Sequence, residues 1–149
     1  MVNSSSILSG TVLFIRNVLR TNITDPITST RPSGQKFVMT SYPKRTTKYP
    51  IITVRGKVNG DRKLGQQSEK ALVDLAIEVR VWGRNQKEKD ELANNCYKRL
   101  RDIQFTASTG SIANNLHNFT LLSATELDEP GEDQPKSRIL NIQYNFYDV

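Results

Sequence analysis

One cysteine, one histidine and one tryptophan stand in a chain of 149 residues, and each scarcity closes off a class of chemistry. With Cys96 alone, no disulfide can form within the chain, and with no histidine nearby in sequence the thiol reads as a buried structural group and not a nucleophile. With His117 alone, neither a Ser/His/Asp arrangement nor a Cys/His/carboxylate cluster at metal spacing can be assembled. Glycines 56, 60 and 65 stand singly, as turn residues do, and form no phosphate-cradling run. No cofactor, no metal and no enzymatic activity are therefore expected; an enzyme would need a deep polar pocket with perturbed titratable groups to re-enter the argument. Long hydrophobic runs are also missing. The apolar N-terminal stretch is interrupted by Gly10, Arg16 and Asn17, so neither a signal peptide nor a membrane span is expected. The Asn22-Ile-Thr24 and Asn118-Phe-Thr120 sequons then read as chance matches, and a reducing cytoplasm as the place of synthesis and use. No segment repeats.

Acidic residues are scarce in the first part of the chain. Residues 1–66 hold eleven Lys/Arg against two acids, Asp25 and Asp61, whereas residues 67–149 hold ten against thirteen. Such asymmetry suits nucleic-acid binding by the first half, or a subunit whose basic part meets its neighbour's acidic part. At 36% hydrophobic and 24% charged the chain is polar, yet long enough for one domain with a sizeable core.

What is present is organised around residues 71–103. Ala71, Val73, Leu75, Ile77, Val79 and Val81 alternate with Asp74, Glu78 and Arg80, the pattern of a strand with one dry and one wet face. Gly83 breaks it. Asn85 and Glu88 have capping-box spacing, and Leu92, Cys96, Leu100 and Ile103 make one helical stripe, with Lys87, Lys89, Asp90, Glu91, Lys98, Arg99 and Asp102 assigned to the wet face. A sheet wet on one side beside a helix with one dry stripe predicts an antiparallel sheet with helices packed on one side.

Before this unit, Ser4, Ser5 and Ser6 offer caps to a first helix of roughly four turns, which ends at residues 22–26. Residues 23–49 hold Pro26, Pro32 and Pro43 with a short strand-like patch at Phe37, Val38 and Met39, and read as an extended arm. Ile51 opens a strand reaching about Val58, and residues 55–66, with Asn59-Gly60, read as a hairpin loop. After the helix come a small-residue linker, a strand through Phe119–Leu122, an acidic loop over 126–136 turned by Pro130-Gly131, and a last strand through Leu140, Ile142, Tyr144 and Phe146.

Two charged groups are candidate partner contacts. Lys44, Arg45, Lys48, Lys57, Arg62 and Lys63 are interleaved with Tyr42 and Tyr49, and Glu126, Asp128, Glu129, Glu132 and Asp133 crowd the acidic loop. Basic residues with aromatics can bind single-stranded nucleic acid by stacking. Proline after both tyrosines favours instead an arm pinned to a protein surface. The carboxylates lack EF-hand spacing and read as a solvated turn. The basic tip at 57–63 is expected to be an assembly contact, reaching another ring or the acidic loop of a neighbour.

The Asp25-Pro26 exit of the first helix, Tyr49-Pro50-Ile51-Ile52-Thr53-Val54, Leu75-Ala-Ile77-Glu-Val79-Arg-Val81-Trp82 running into Lys87-Glu-Lys-Asp-Glu-Leu92, and the aromatic end Tyr144-Asn-Phe146-Tyr147 together resemble the tail-terminator, or tail-completion, proteins of long-tailed bacteriophages. The resemblance spans nearly the whole chain. It implies an α+β fold: a mostly antiparallel sheet with an N-terminal helix and a central amphipathic helix on one side, plus the arm. It implies a six-membered ring in the virion neck, assembled in the host cytoplasm, that caps the tail tube and joins it to the head connector. The implied partners are further copies of the chain, the tail tube protein, connector proteins, a sheath protein where the tail contracts, and DNA passing through the lumen without specific binding; no membrane is among them. Another head–tail connector protein, or a nucleic-acid-binding protein using the basic half, remains the alternative.

Overall fold

The computed structural model describes residues 2, 4–41, 43, 47–63, 66, 71–127 and 136–148, with the backbone alone at 4, 58, 59, 62 and 148. Helix α1 (Ile7–Asn22) follows a 3-10 turn at Ser4–Ser6; the strands are β1 (Val38–Met39), β2 (Ile51–Lys63), β3 (Ala71–Gly83), β4 (Leu116–Leu127) and β5 (Lys136–Asp148), with α2 (Gln86–Asp102) between β3 and β4. They form one sheet in the order β1-β2-β3-β5-β4. β1 runs parallel to β2 and every other pairing is antiparallel. Both helices lie against the sheet and against each other, α1 over β2 and α2 over β3 and β5. The fold is α+β, as expected. No helix of the described residues is long and apolar enough to cross a membrane.

The rows of the sheet show how alternation becomes a core. Val54, Val79, Leu140 and Ala124 stand level, as do Ile77, Ile142 and Leu121, and these rows face the helices. Above them sit Ile15, Val18 and Leu19 of α1 and Leu92, Ala93, Cys96 and Leu100 of α2. Residues three to four apart in each set, Ile15 with Val18 and Leu19 and Leu92 with Cys96 and Leu100, keep one helical face turned to the sheet. Cys96 is fully buried and burial pushes its thiol pKa up, in keeping with a structural role.

The β3–α2 junction is set by backbone. The Asn85 side chain accepts from the Glu88 N–H at 2.9 Å, and Glu88 Oε1 accepts from the Arg84 N–H at 3.0 Å, one residue before the cap. Its bond to Arg84 holds the Glu88 carboxyl below the usual carboxylate range. Gly83 lies so close under the first turn of α2 that a Cβ there would stand 2.7 Å from the Lys89 nitrogen and 2.9 Å from its Cα. Backbone cannot swing aside as a side chain does. Gly83→Ala is therefore expected to cost about 1–3 kcal/mol by overpacking and to lower the melting temperature by about 5 °C, read by calorimetry. An unchanged midpoint would mean that α2 slides freely on the sheet.

Three expectations from the sequence are corrected. Residues 55–63 are not loop: β2 runs to Lys63, with Asn59 and Gly60 inside the strand, and a bulge between Gly56 and Val58 breaks the alternation that would have revealed it. The acidic segment begins later than expected, because Glu126 and Leu127 belong to β4 and Lys136 to β5. The described part of the arm carries the expected short strand, as β1, but lies against the domain. Phe37 and Val38 are buried, Ile52 N–H donates to the Phe37 carbonyl at 2.8 Å, and Arg20 donates twice to the Val38 carbonyl.

Candidate assembly interface

The face of the sheet away from the helices is polar, and its side chains bond to one another. Trp82 Nε1–H reaches Thr53 Oγ1 at 3.4 Å, the Arg80 guanidinium lies 3.9 Å over the Trp82 ring, and Arg80 Nη2 donates to Ser137 Oγ at 3.1 Å. Further along, Lys57 Nζ donates to Asn141 Oδ1 at 3.1 Å, Asn141 donates to Ser123 Oγ at 2.7 Å, and Asn145 donates to Asp74 at 3.0 Å. Glu78, expected to face solvent, does point to this side but is only 8% exposed, level with Arg55 of β2 and Asn141 of β5. With Arg80 covering its ring, Trp82 offers no open platform on which a base could stack.

The predicted contact residues separate into distinct places. Lys48 lies at the β1 end, its N–H donating to Gln35 Oε1 and its carbonyl accepting from Arg31. Lys57 sits on the polar face and not at a tip, while exposed Lys63 ends β2. Glu126 is level with Arg138 and Val81 at the opposite end of the sheet from Lys63, which is level with Ala71 and Asp148. Lys63 and Glu126 of one subunit are thus a strand length apart. Lys44, Arg45, Asp128, Glu129, Glu132 and Asp133, with Tyr42 and the Arg62 side chain, lie outside the described residues.

Glu126 also has a partner that the sequence reading missed. Lys89, assigned to the wet face of α2, is fully buried, and its Nζ stands 2.6 Å from Glu126 Oε1 and 3.6 Å from Asp90. Gln86 Nε2 donates to the same Glu126 oxygen at 3.0 Å. The ammonium beside it holds the Glu126 carboxyl below its usual range. This carboxylate therefore latches the end of β4 to α2. The signal was available: Lys89 is three residues before Leu92 and seven before Cys96, on the same helical stripe.

Two surfaces are left without a partner. Beyond β1, the outer side of β2 has no strand neighbour among the described residues, and neither has β4 along its length. An apolar groove of about 760 Å³ runs between α1 and the turns after α2, lined by Leu13, Phe14 and Ile103 among others. Leu8 is 59% exposed on α1, and Phe105 is 82% exposed on the turn that leaves α2. No family model matches the chain, and no curated protein matches it.

Proposed function

We propose that the protein is a structural virion subunit that forms a ring, hexameric by the family resemblance, at the neck of a long-tailed bacteriophage. There it caps the finished tail tube and joins it to the head connector. One observation carries the reading: among the described residues, two different sheet edges are open on opposite sides, the outer side of β2 beyond β1 and the outer side of β4. Contacts between unlike surfaces are heterologous, and heterologous contacts close into rings when the rotation allows. The covered helix face supplies a rigid core, and the polar face offers surface that needs no apolar cover.

Native mass spectrometry of the purified protein, alone and with isolated tail tubes, tests the reading. Rings of one size, bound at one end of each tube, are the expected result; a monomer that ignores the tubes would overturn it. The nucleic-acid reading rests on the basic first half. It expects binding to single-stranded oligonucleotides that falls steeply with salt, which the ring reading does not require.

A further inference from the structure

The heights of the two open edges determine how they can meet. Gly60 of β2 is level with Asp74, Asn145 and His117, and Arg55 is level with Glu78, Asn141 and Ser123. Among the described residues, β1 covers β2 only at Ile52 and Thr53. The uncovered part of β2 is therefore level with residues 116–123 of β4. Three successive antiparallel pairings separate β2 from β4, so the two strands run in opposite directions. Two copies side by side in the same orientation present antiparallel edges at the same height, with no sliding needed.

Charge selects between the ways such edges can pair. β2 carries Arg55, Lys57, Arg62 and Lys63 against Asp61, whereas β4 carries no Lys or Arg and one acid, Glu126. Two β2 edges meeting about a two-fold axis would set cations against cations, which is destabilising across strands. β4 against β2 avoids this. The register shifts in both strands, between Gly56 and Val58 in β2, and between His117 and Thr120 and between Leu121 and Ser123 in β4. Bulges bend a strand and increase its twist, so copies joined through these strands would meet at an angle and not in a flat ribbon.

We propose that copies of this chain join by sheet extension, residues 116–123 of β4 in one copy pairing antiparallel with residues 55–61 of β2 in the next, which identifies the subunit contact of the ring. The proposal rests on the ring reading and adds its register. Backbone hydrogen bonds supply the contact, and the level alignment fixes which residues face each other.

Disulfide trapping tests the register. A Cβ at Gly60 meets open space, so Gly60→Cys is tolerated, and buried Cys96 does not compete. Under mild oxidation, Gly60→Cys/His117→Cys is expected to put most of the protein into a ladder of covalent oligomers on a denaturing gel. Arg55→Cys/Ser123→Cys, the second level pair, gives the same ladder and keeps the test decisive if the His117 variant misfolds. Gly60→Cys/Thr125→Cys, out of register, remains monomeric on the gel. Native rings without a ladder from either level pair would overturn sheet extension and leave the ring reading standing. Absence of rings altogether would overturn both. Covalent dimers from Gly60→Cys alone or His117→Cys alone would mean two-fold pairing and would also overturn the proposal.

Discussion

Ile77→Asp is expected to abolish cooperative folding. Ile77 is 2% exposed, level with Ile142 and Leu121 in a row that faces the helices. Losing the apolar side chain removes about 2–3 kcal/mol of burial, and an unpaired carboxylate in that place adds several kcal/mol of desolvation. The sum reaches a large part of the roughly 5–15 kcal/mol that holds a domain of this size together. Ile77→Val, which keeps the shape, should cost only about 0.5–1.5 kcal/mol. Glu78→Ala, one residue away on the polar face, should cost about 1 kcal/mol, because the side chain lies on the face turned away from the helices. Urea melts of the three variants check the ranking. A cooperative Ile77→Asp transition beside a crippled Glu78→Ala would mean that the faces of β3 are reversed.

That ranking could be drawn from the sequence because a sheet with one covered face leaves a period-two record. The β3 alternation, the Gly83 break, the Asn85 and Glu88 cap and the Leu92–Cys96–Leu100 stripe are local patterns, and the structure has each of them. What the sequence hid was non-local or irregular. A bulge at residues 56–58 shifted the phase of β2, so that Asn59-Gly60 looked like a turn although both residues pair with β3. Lys89 was read as wet because charge was taken as exposure. A lysine stem can lie in a core while its ammonium meets a carboxylate from another element, and the Glu126 that meets it is distant in sequence. The candidate interface was least legible. Opposite charge at 57–63 and 126–133 suggested that the first region meets the second in a neighbouring copy, but only strand pairing shows that Lys63 and Glu126 stand at opposite ends of one sheet.

The arm gives the second large effect, through one side chain that no periodicity could have marked. Arg31 is 5% exposed at its side chain and donates to both Asp25 oxygens at 2.6 and 2.9 Å. It also donates to the Lys48 carbonyl at 2.8 Å and the Pro50 carbonyl at 2.6 Å, and its guanidinium stands 5.5 Å from the centre of the Phe37 ring. One planar fork thus ties the exit of α1 to the chain entering β2. Arg31→Ala would leave the Asp25 carboxylate and two carbonyls without this donor. Removing one partner of a buried pair costs about 3–5 kcal/mol, and partial exposure of Asp25 brings the expected loss to about 2–3 kcal/mol. Arg31→Lys should recover little, since a point charge cannot reproduce the fork. The loss should be local before it is global, with faster amide exchange at Ile52, whose N–H is held by the Phe37 carbonyl, while β3 and β5 stay protected. The bond from Arg31 holds the Asp25 carboxyl below its usual pKa. Its contribution is therefore fully present above the ordinary aspartate range and fades as pH falls through the lowered value. Wild-type protein should lose protection at Ile52 on acidification, and Arg31→Ala should show the loss at neutral pH already. Equal exchange at Ile52 in wild type and Arg31→Ala would show that other contacts hold the arm.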